Sequence, residues 1–180
     1  MVALFEQICG ENTLFFSLYA LPYHRVVARE LSLGSVHADD HVLAVGCGAL
    51  PFTAILTATL TGARVTGVDC DANAVIKARR LVEILGLSAQ VSIHHGDAAH
   101  DLLPSADVAL VALQASPKDK IHQNLQRSLP TPGGRIIYRL PRPGLEREYG
   151  CFMCPRENWR HTSHNMFTFD RSVLFTAVGA

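Results

Sequence analysis

The sequence predicts an α/β fold with a doubly wound, mostly parallel sheet, and three observations predict it. From His41 onward, short apolar runs rich in β-branched residues alternate with helical stretches, as a parallel sheet with crossover helices requires. The first run, Val42 to Val45, ends in Gly46-Cys47-Gly48, a strand-to-helix turn that lets other atoms approach the backbone closely. About 20 residues further on, the second run, Val65 to Val68, ends in an acid, Asp69.

The elements follow in order. Thr13 to Leu33 carries Leu14, Leu18, Leu21, Val26, Val27 and Leu31 at helical spacing, and Pro22 is expected to break or kink this segment near Leu21. Residues 1–38 then form either a helical cover over one sheet edge or a lid, with Tyr19 or Tyr23 reaching a ligand. Gly34 to Asp40 is a polar loop. After the glycine turn a helix begins near Pro51, whose fixed φ suits a first helical position, and its alanines and leucines are core packing. Asp71 to Leu85 is a second helix, with Ala74, Ile76, Ala78, Leu81, Val82 and Leu85 as its apolar positions and Gly86 just past its end. Gln90 to His94 is a third strand. Asp107 to Leu113, nearly all apolar, is a fourth in the centre of the sheet. Pro117 to Ser128 is helical, and Pro132-Gly133-Gly134 turns the chain into a fifth strand, Arg135 to Leu140. Pro141 to Arg156 is a loop or broken helix. Thr162 to Phe169 and Ser172 to Val178, separated by Asp170-Arg171, form a closing hairpin that gives the sheet an antiparallel C-terminal edge.

Composition narrows the function. The 180 residues fit one domain. With a formal net charge of zero and no Lys/Arg block, no nucleic-acid footprint is visible. No apolar run reaches the ~20 residues of a membrane span, and the N-terminus lacks the basic start of a signal peptide. Five cysteines, an odd number without a secretory pattern, favour a reducing compartment. A soluble cytoplasmic protein acting on a small molecule is expected, with homo-oligomerisation left open.

In such a Rossmann-like sheet, ligands bind outside the carboxyl ends of the strands, where the strand order reverses. Those ends are Gly46 to Pro51, Asp69 to Asp71, Asp97-Ala98 and Leu113 to Ser116. Two acids at separate strand ends suit a nucleoside, one for the ribose and one for a base amine. The alternative for Asp69 is a purely structural role in the turn, with Asp71 capping the next helix. Asp97, in Gly96-Asp97-Ala98, also suits an ordinary turn. No metal site is expected. Cys151-Phe152-Met153-Cys154 supplies two thiols where a structural zinc needs four ligands, although His161 and His164 lie close by. Cys47 has no base partner in sequence and is read as a small residue between glycines.

The segments VLAVGCG, GVDCDANAV, HHGDA, DVALVAL and PGGRIIYRLP, in this order and spacing, resemble class I S-adenosylmethionine-dependent methyltransferases over about residues 40–140. The resemblance implies that Gly46 and Gly48 lie against the methionine part of S-adenosyl-L-methionine, that Asp69 binds its ribose and that Asp97 binds the adenine amine. Two positions depart from that family: Ala44 stands where most members have an acid, and Leu50 where they have a further glycine. The stretch from Gly46 to Thr53, GCGALPFT, is similar instead to the GSGPLPLT signature of nicotianamine synthases and opine-metallophore synthases. The likeness extends to DCDANAV, to Leu113 with Lys118-Asp119-Lys120, and to PGGRIIYRLPRPGL. Those enzymes transfer the 3-amino-3-carboxypropyl group, and a related group closes it on itself to azetidine-2-carboxylate.

The resemblance thus implies a transferase that acts on an amine or amino acid, or on the cofactor alone. Methyl transfer and a non-catalytic cofactor-binding subunit are the alternatives. The cofactor-binding set is Gly46, Cys47, Gly48, Leu50, Pro51, Asp69, Cys70, Asp97, Ala98 and Leu113. Tyr19, Tyr23, Gln114 and Arg139 are the candidate positioning groups in catalysis. Arg139 is expected either to pair with a substrate carboxylate or to sit on the rim.

Overall fold

In this computed structural model, which describes residues 13–130, 132–150 and 160–176 and side chains from Tyr23 onward, strands and helices alternate. Helix α1 (Thr13–Leu33) leads into β1 (His41–Val45), α2 (Phe52–Thr61), β2 (Arg64–Asp69), α3 (Ala72–Ile84) and β3 (Val91–His95). After them come β4 (Val108–Val111), α4 (Lys118–Ser128), β5 (Arg135–Pro141), the single turn α5 (Glu146–Tyr149), β6 (Arg160–Ser163) and β7 (Phe169–Thr176). The strands form one seven-stranded sheet in the order β3-β2-β1-β4-β5-β7-β6. The first five are parallel, while β7 runs antiparallel to both β5 and β6. The order reverses between β1 and β4, which opens a crevice at their carboxyl ends.

Alternation along the strands divides the core into two layers, because successive side chains point to opposite faces. Val42 and Ala44 of β1 join Val27 and Leu31 of α1, Leu56 of α2 and Val75, Ala78 and Val82 of α3 on one face. Leu43 and Val45 join Ile121 and Leu125 of α4 on the other. Strand β4 is buried along its whole length, which is why its sequence is apolar without interruption.

Four sequence expectations are corrected. Helix α1 runs through Pro22 without a break. A proline there removes one helical hydrogen bond, but Val26, Val27, Glu30 and Leu31 beyond it are buried, and that packing fixes the segment. In the hairpin, the turn falls between Ser163 and Phe169, and Asp170-Arg171 lie inside β7. Leu140 pairs with Arg171 and Pro141 with Phe169, so Asp170 is an extra residue bulged out of the β5–β7 ladder, where a polar side chain is tolerated. In α3 the inward position is Val75, not Ile76, which is 64% exposed. Pro51 is the N-cap of α2 and not its first helical residue. The expected roles of Leu14, Leu18, Leu21 and the Tyr19 side chain, and of Cys151 and Cys154, lie outside the described residues.

Candidate active site

The crevice is built first from backbone. Gly46 and Gly48 have φ of +72° and +65°, a region that suits glycine, and Gly46 N–H donates to the Val68 carbonyl at 2.8 Å. A Cβ on Gly46 would lie 3.2 Å from the Ala112 Cβ, so this glycine is also needed for close approach of the two strand ends. A Cβ on Gly48 would meet no protein atom within 4 Å: the backbone there borders open space. That is the kind of cradle an extended ligand can lie against.

Asp69 supports the turn from the next strand. Its Oδ2 accepts from Gly48 N–H at 2.7 Å and its Oδ1 from Asp71 N–H at 3.0 Å. Asp71 in turn caps α3, accepting from Asn73 N–H at 2.8 Å. The turn-holding role weighed for Asp69 is therefore present, and the same carboxylate borders the cavity with further lone pairs to offer. Asp97 accepts from Ala99 N–H and from His100 Nδ1, both at 2.8 Å; His100 first and Ala99 second hold its carboxyl below the usual carboxylate range.

A cavity of about 470 Å³ lies over these strand ends. Of the residues singled out from sequence, it brings together Gly46, Cys47, Gly48, Asp69 and Cys70 with Asp97 and Ala98. Tyr23, Gln114 and Arg139 complete the wall from the other side. Three do not reach it. Leu50 is 54% exposed, Pro51 is buried at the helix cap, and Leu113 packs with Val26 and Phe169. Ser116, at the end of the expected stretch Leu113 to Ser116, lines the cavity, and so does Thr53, which is not among the expected cofactor-binding or catalytic residues. Thr53 is the second residue of α2 and closes the GCGALPFT stretch, but only its meeting with Arg139 across the fold makes it a polar wall of the cavity. Cys47 packs over Gly67, where a Cβ would lie 3.2 Å from the sulfur; burial, helped by Asp69, pushes its thiol up to about 12. It is a neutral contact at physiological pH, not a nucleophile.

The β5 side of the cavity is a buried polar cluster. Arg139 is 3% exposed and gives Nε and Nη2 to the two oxygens of Glu30 at 2.8 and 2.7 Å. Its Nη1 donates to Tyr23 Oη at 2.8 Å and its Nη2 also to Thr53 Oγ1 at 3.0 Å. Ser172 Oγ donates to Glu30 at 2.6 Å, and His164 Nε2 is 2.9 Å from that hydroxyl. Burial alone would raise the Glu30 carboxyl, but Arg139 outweighs it and the pKa is lowered. Likewise burial would lower Arg139, and Glu30 raises it. Both stay charged. The expectation of a guanidinium free for a substrate carboxylate is therefore corrected: its long edge and its charge are matched by Glu30, a residue on a helix over 100 positions away that no local motif announces.

Nearby, Lys118 Nζ donates to the carbonyls of Leu113 at 2.7 Å and Tyr149 at 2.6 Å, tying the loop after β4 to α5. Burial lowers its pKa. No group of three potential metal ligands occurs among the described residues, and no helix among them is long and apolar enough to cross a membrane.

A doubly wound sheet with a glycine turn after β1 and an acid closing β2 defines a nucleotide- or nucleoside-binding α/β protein. The methyltransferase domain family matches residues 42–134, and the chain belongs to it, within the class I S-adenosylmethionine-dependent methyltransferase superfamily. Among known proteins, the L-histidine 2-aminobutanoyltransferase of Yersinia pestis is 30% identical over 162 residues, which are 87% of this chain and 60% of that enzyme. The chain thus spans 60% of the length of this curated relative. A point mutant of MtNAS, solved in complex with S-adenosylmethionine, superposes with a TM-score of 0.74 at 26% identity, covering 97% of this chain and 69% of that one. An RNA methyltransferase from Salinibacter ruber, solved with S-adenosyl-L-homocysteine, shares the fold with a TM-score of 0.67 at 23% identity, over 87% of this chain and 92% of that one.

Proposed function

We propose that the cavity binds S-adenosyl-L-methionine and that the chain is a transferase of its 3-amino-3-carboxypropyl group, releasing methylthioadenosine. The observation that carries this reading is the division of the cavity wall. Asp69 and Asp97 stand at the ends of β2 and β3, while Tyr23, Thr53 and Arg139 stand on the β5 side. Three strand spacings separate β2 from β5, about 14 Å at ~4.8 Å each, a span suited to an extended adenosyl amino acid. The likeness to an aminobutanoyltransferase and to MtNAS supports the choice of the aminocarboxypropyl chain, as does Ala44 in place of an acid before the glycines.

When bound, the sulfonium supplies three activated carbons, and the one that reacts is the one presented to the nucleophile. The residues of this chain do the presenting. Asp69 holds the ribose and keeps Gly48 in place, so the open backbone of the turn faces the chain that leaves sulfur. Asp97 accepts from the base amine. Val68, Leu110, Ala112 and Ala115 give the middle of the cavity an apolar wall, which excludes water from the reacting centre. Cys47, neutral, adds no competing nucleophile. The acceptor is an amine or amino acid, or the amino group of the same cofactor molecule.

Incubation of the protein with S-adenosylmethionine, alone and with candidate amino acids, followed by mass spectrometry of the nucleoside, tests the proposal. Methylthioadenosine formed at a rate above the spontaneous background is the expected product. S-adenosylhomocysteine would mark methyl transfer instead. Tight cofactor binding with neither product would mark a non-catalytic subunit.

A further inference from the structure

We propose that the Tyr23 and Thr53 hydroxyls form a carboxylate cradle at the β5 end of the cavity, with their donor polarity fixed by Arg139 and, through it, by Glu30. The proposal rests on the reading of the cavity as an S-adenosylmethionine site and specifies which end of the ligand lies where. Each hydroxyl carries one hydrogen and two lone pairs. Tyr23 Oη and Thr53 Oγ1 both accept from the same guanidinium, at 2.8 and 3.0 Å, so each keeps its own hydrogen for another acceptor. No described residue takes either hydrogen. Both side chains border the cavity, so the waiting acceptor belongs to the ligand.

Charge selects the kind of acceptor. The cation nearest to both hydroxyls is Arg139, whose centre also lies 5.1 Å from the Tyr23 ring centroid. Its counter-charge, Glu30, is 1% exposed and sits behind it, with Ser172 and Arg139 on its oxygens. A ligand at this end thus meets two O–H donors backed by a guanidinium. A carboxylate matches them; an ammonium would face the positive side of the pair. The acids that could attract an ammonium, Asp69 and Asp97, are at the far end, on β2 and β3. Glu30 is therefore a positioning residue. By taking Nε and Nη2 of Arg139 it aims the remaining donors at the two hydroxyls, and so decides that they give hydrogens to the cavity.

The test is calorimetric titration with three ligands: S-adenosylmethionine, its decarboxylated analogue, and methylthioadenosine. The wild-type protein should bind the decarboxylated analogue roughly tenfold or more weakly than S-adenosylmethionine, the scale of a lost hydrogen bond to a charged group. Tyr23→Phe and the isosteric Thr53→Val should each weaken S-adenosylmethionine by about tenfold and leave methylthioadenosine, which lacks the carboxylate, unchanged. Equal binding of S-adenosylmethionine and its decarboxylated analogue by the wild type would overturn the cradle while leaving the nucleoside site intact. So would hydroxyl variants that weaken methylthioadenosine as much as S-adenosylmethionine. Failure of the wild type to bind any of the three would overturn the cofactor reading and the cradle with it.

Discussion

Gly48 gives its backbone N–H to Asp69 Oδ2 at 2.7 Å, so the glycine turn after β1 and the acid closing β2 are one structural unit. An acid at this position holds the turn open and borders the cavity, so deleting the side chain alters the turn and the cavity wall together.

Asp69→Ala should weaken S-adenosylmethionine by about 1–3 kcal/mol, because a buried pair of ribose hydroxyls loses its acceptor and Gly48 N–H loses its own. Calorimetry measures this directly. An affinity equal to wild type would remove Asp69 from the binding site and leave it only the turn.

The Glu30–Arg139 pair makes a prediction about stability. Glu30→Ala leaves a guanidinium that is 3% exposed without its counter-charge, a change that costs about 3–5 kcal/mol when a buried pair is broken. Replacing both partners, Glu30→Met with Arg139→Met, should recover much of that loss, since two apolar side chains leave no unpaired charge. Urea unfolding of the three proteins decides it. A single Glu30→Ala protein as stable as wild type would show that the pair does not hold α1 to the sheet.

Stability should also fall with acid, in two stages of the same sign. His164 is buried, its Nδ1 has no hydrogen-bond partner among the described residues, and burial holds its pKa below the usual 6.5 despite Glu30 and Asp170 pulling it up; Arg139 and Arg29 add to the lowering. As pH falls through that usual value, the unfolded imidazole takes a proton that the folded one refuses, so the folded state loses ground. His122, also lowered by burial, adds to this stage. The Glu30 carboxyl is lowered from 4.5, so its stabilisation is present above that value and is lost as pH falls through its lower folded value. Urea midpoints measured from about pH 7 down to about pH 2 should decline through both stages. His164→Asn should flatten the upper stage and leave the lower one; an identical profile would mean that His164 does not titrate differently on folding.

Much of the architecture is legible in the sequence. Val42–Val45, Val65–Val68 and DVALVAL read as buried strands because no face of a central parallel strand meets water. The glycine turn and Asp69 read as a ligand site because their spacing is set by one βαβ unit, a local quantity. Departures arise where local preference meets long-range packing. Pro22 argues for a break and packing overrides it, while Asp170-Arg171 argue for a turn and a bulge opposite Leu140 and Pro141 absorbs them. Ile76 and Val75 are neighbours whose choice of face depends on where the helix lands on the sheet.

The sequence by itself determined the sheet, the order of its elements and the glycine-and-acid end of the cleft, since each depends on periodicity or on residues within one strand–helix–strand unit. Only the tertiary structure decided the other end. Glu30, Thr53, Arg139 and Ser172 come from α1, α2, β5 and β7, and they meet because the strand order 1-4-5-7 places those elements side by side. Whether Arg139 offers a charge to a ligand or spends it on Glu30 depends on that meeting. A hydrogen bond between positions 109 residues apart leaves no trace in local spacing.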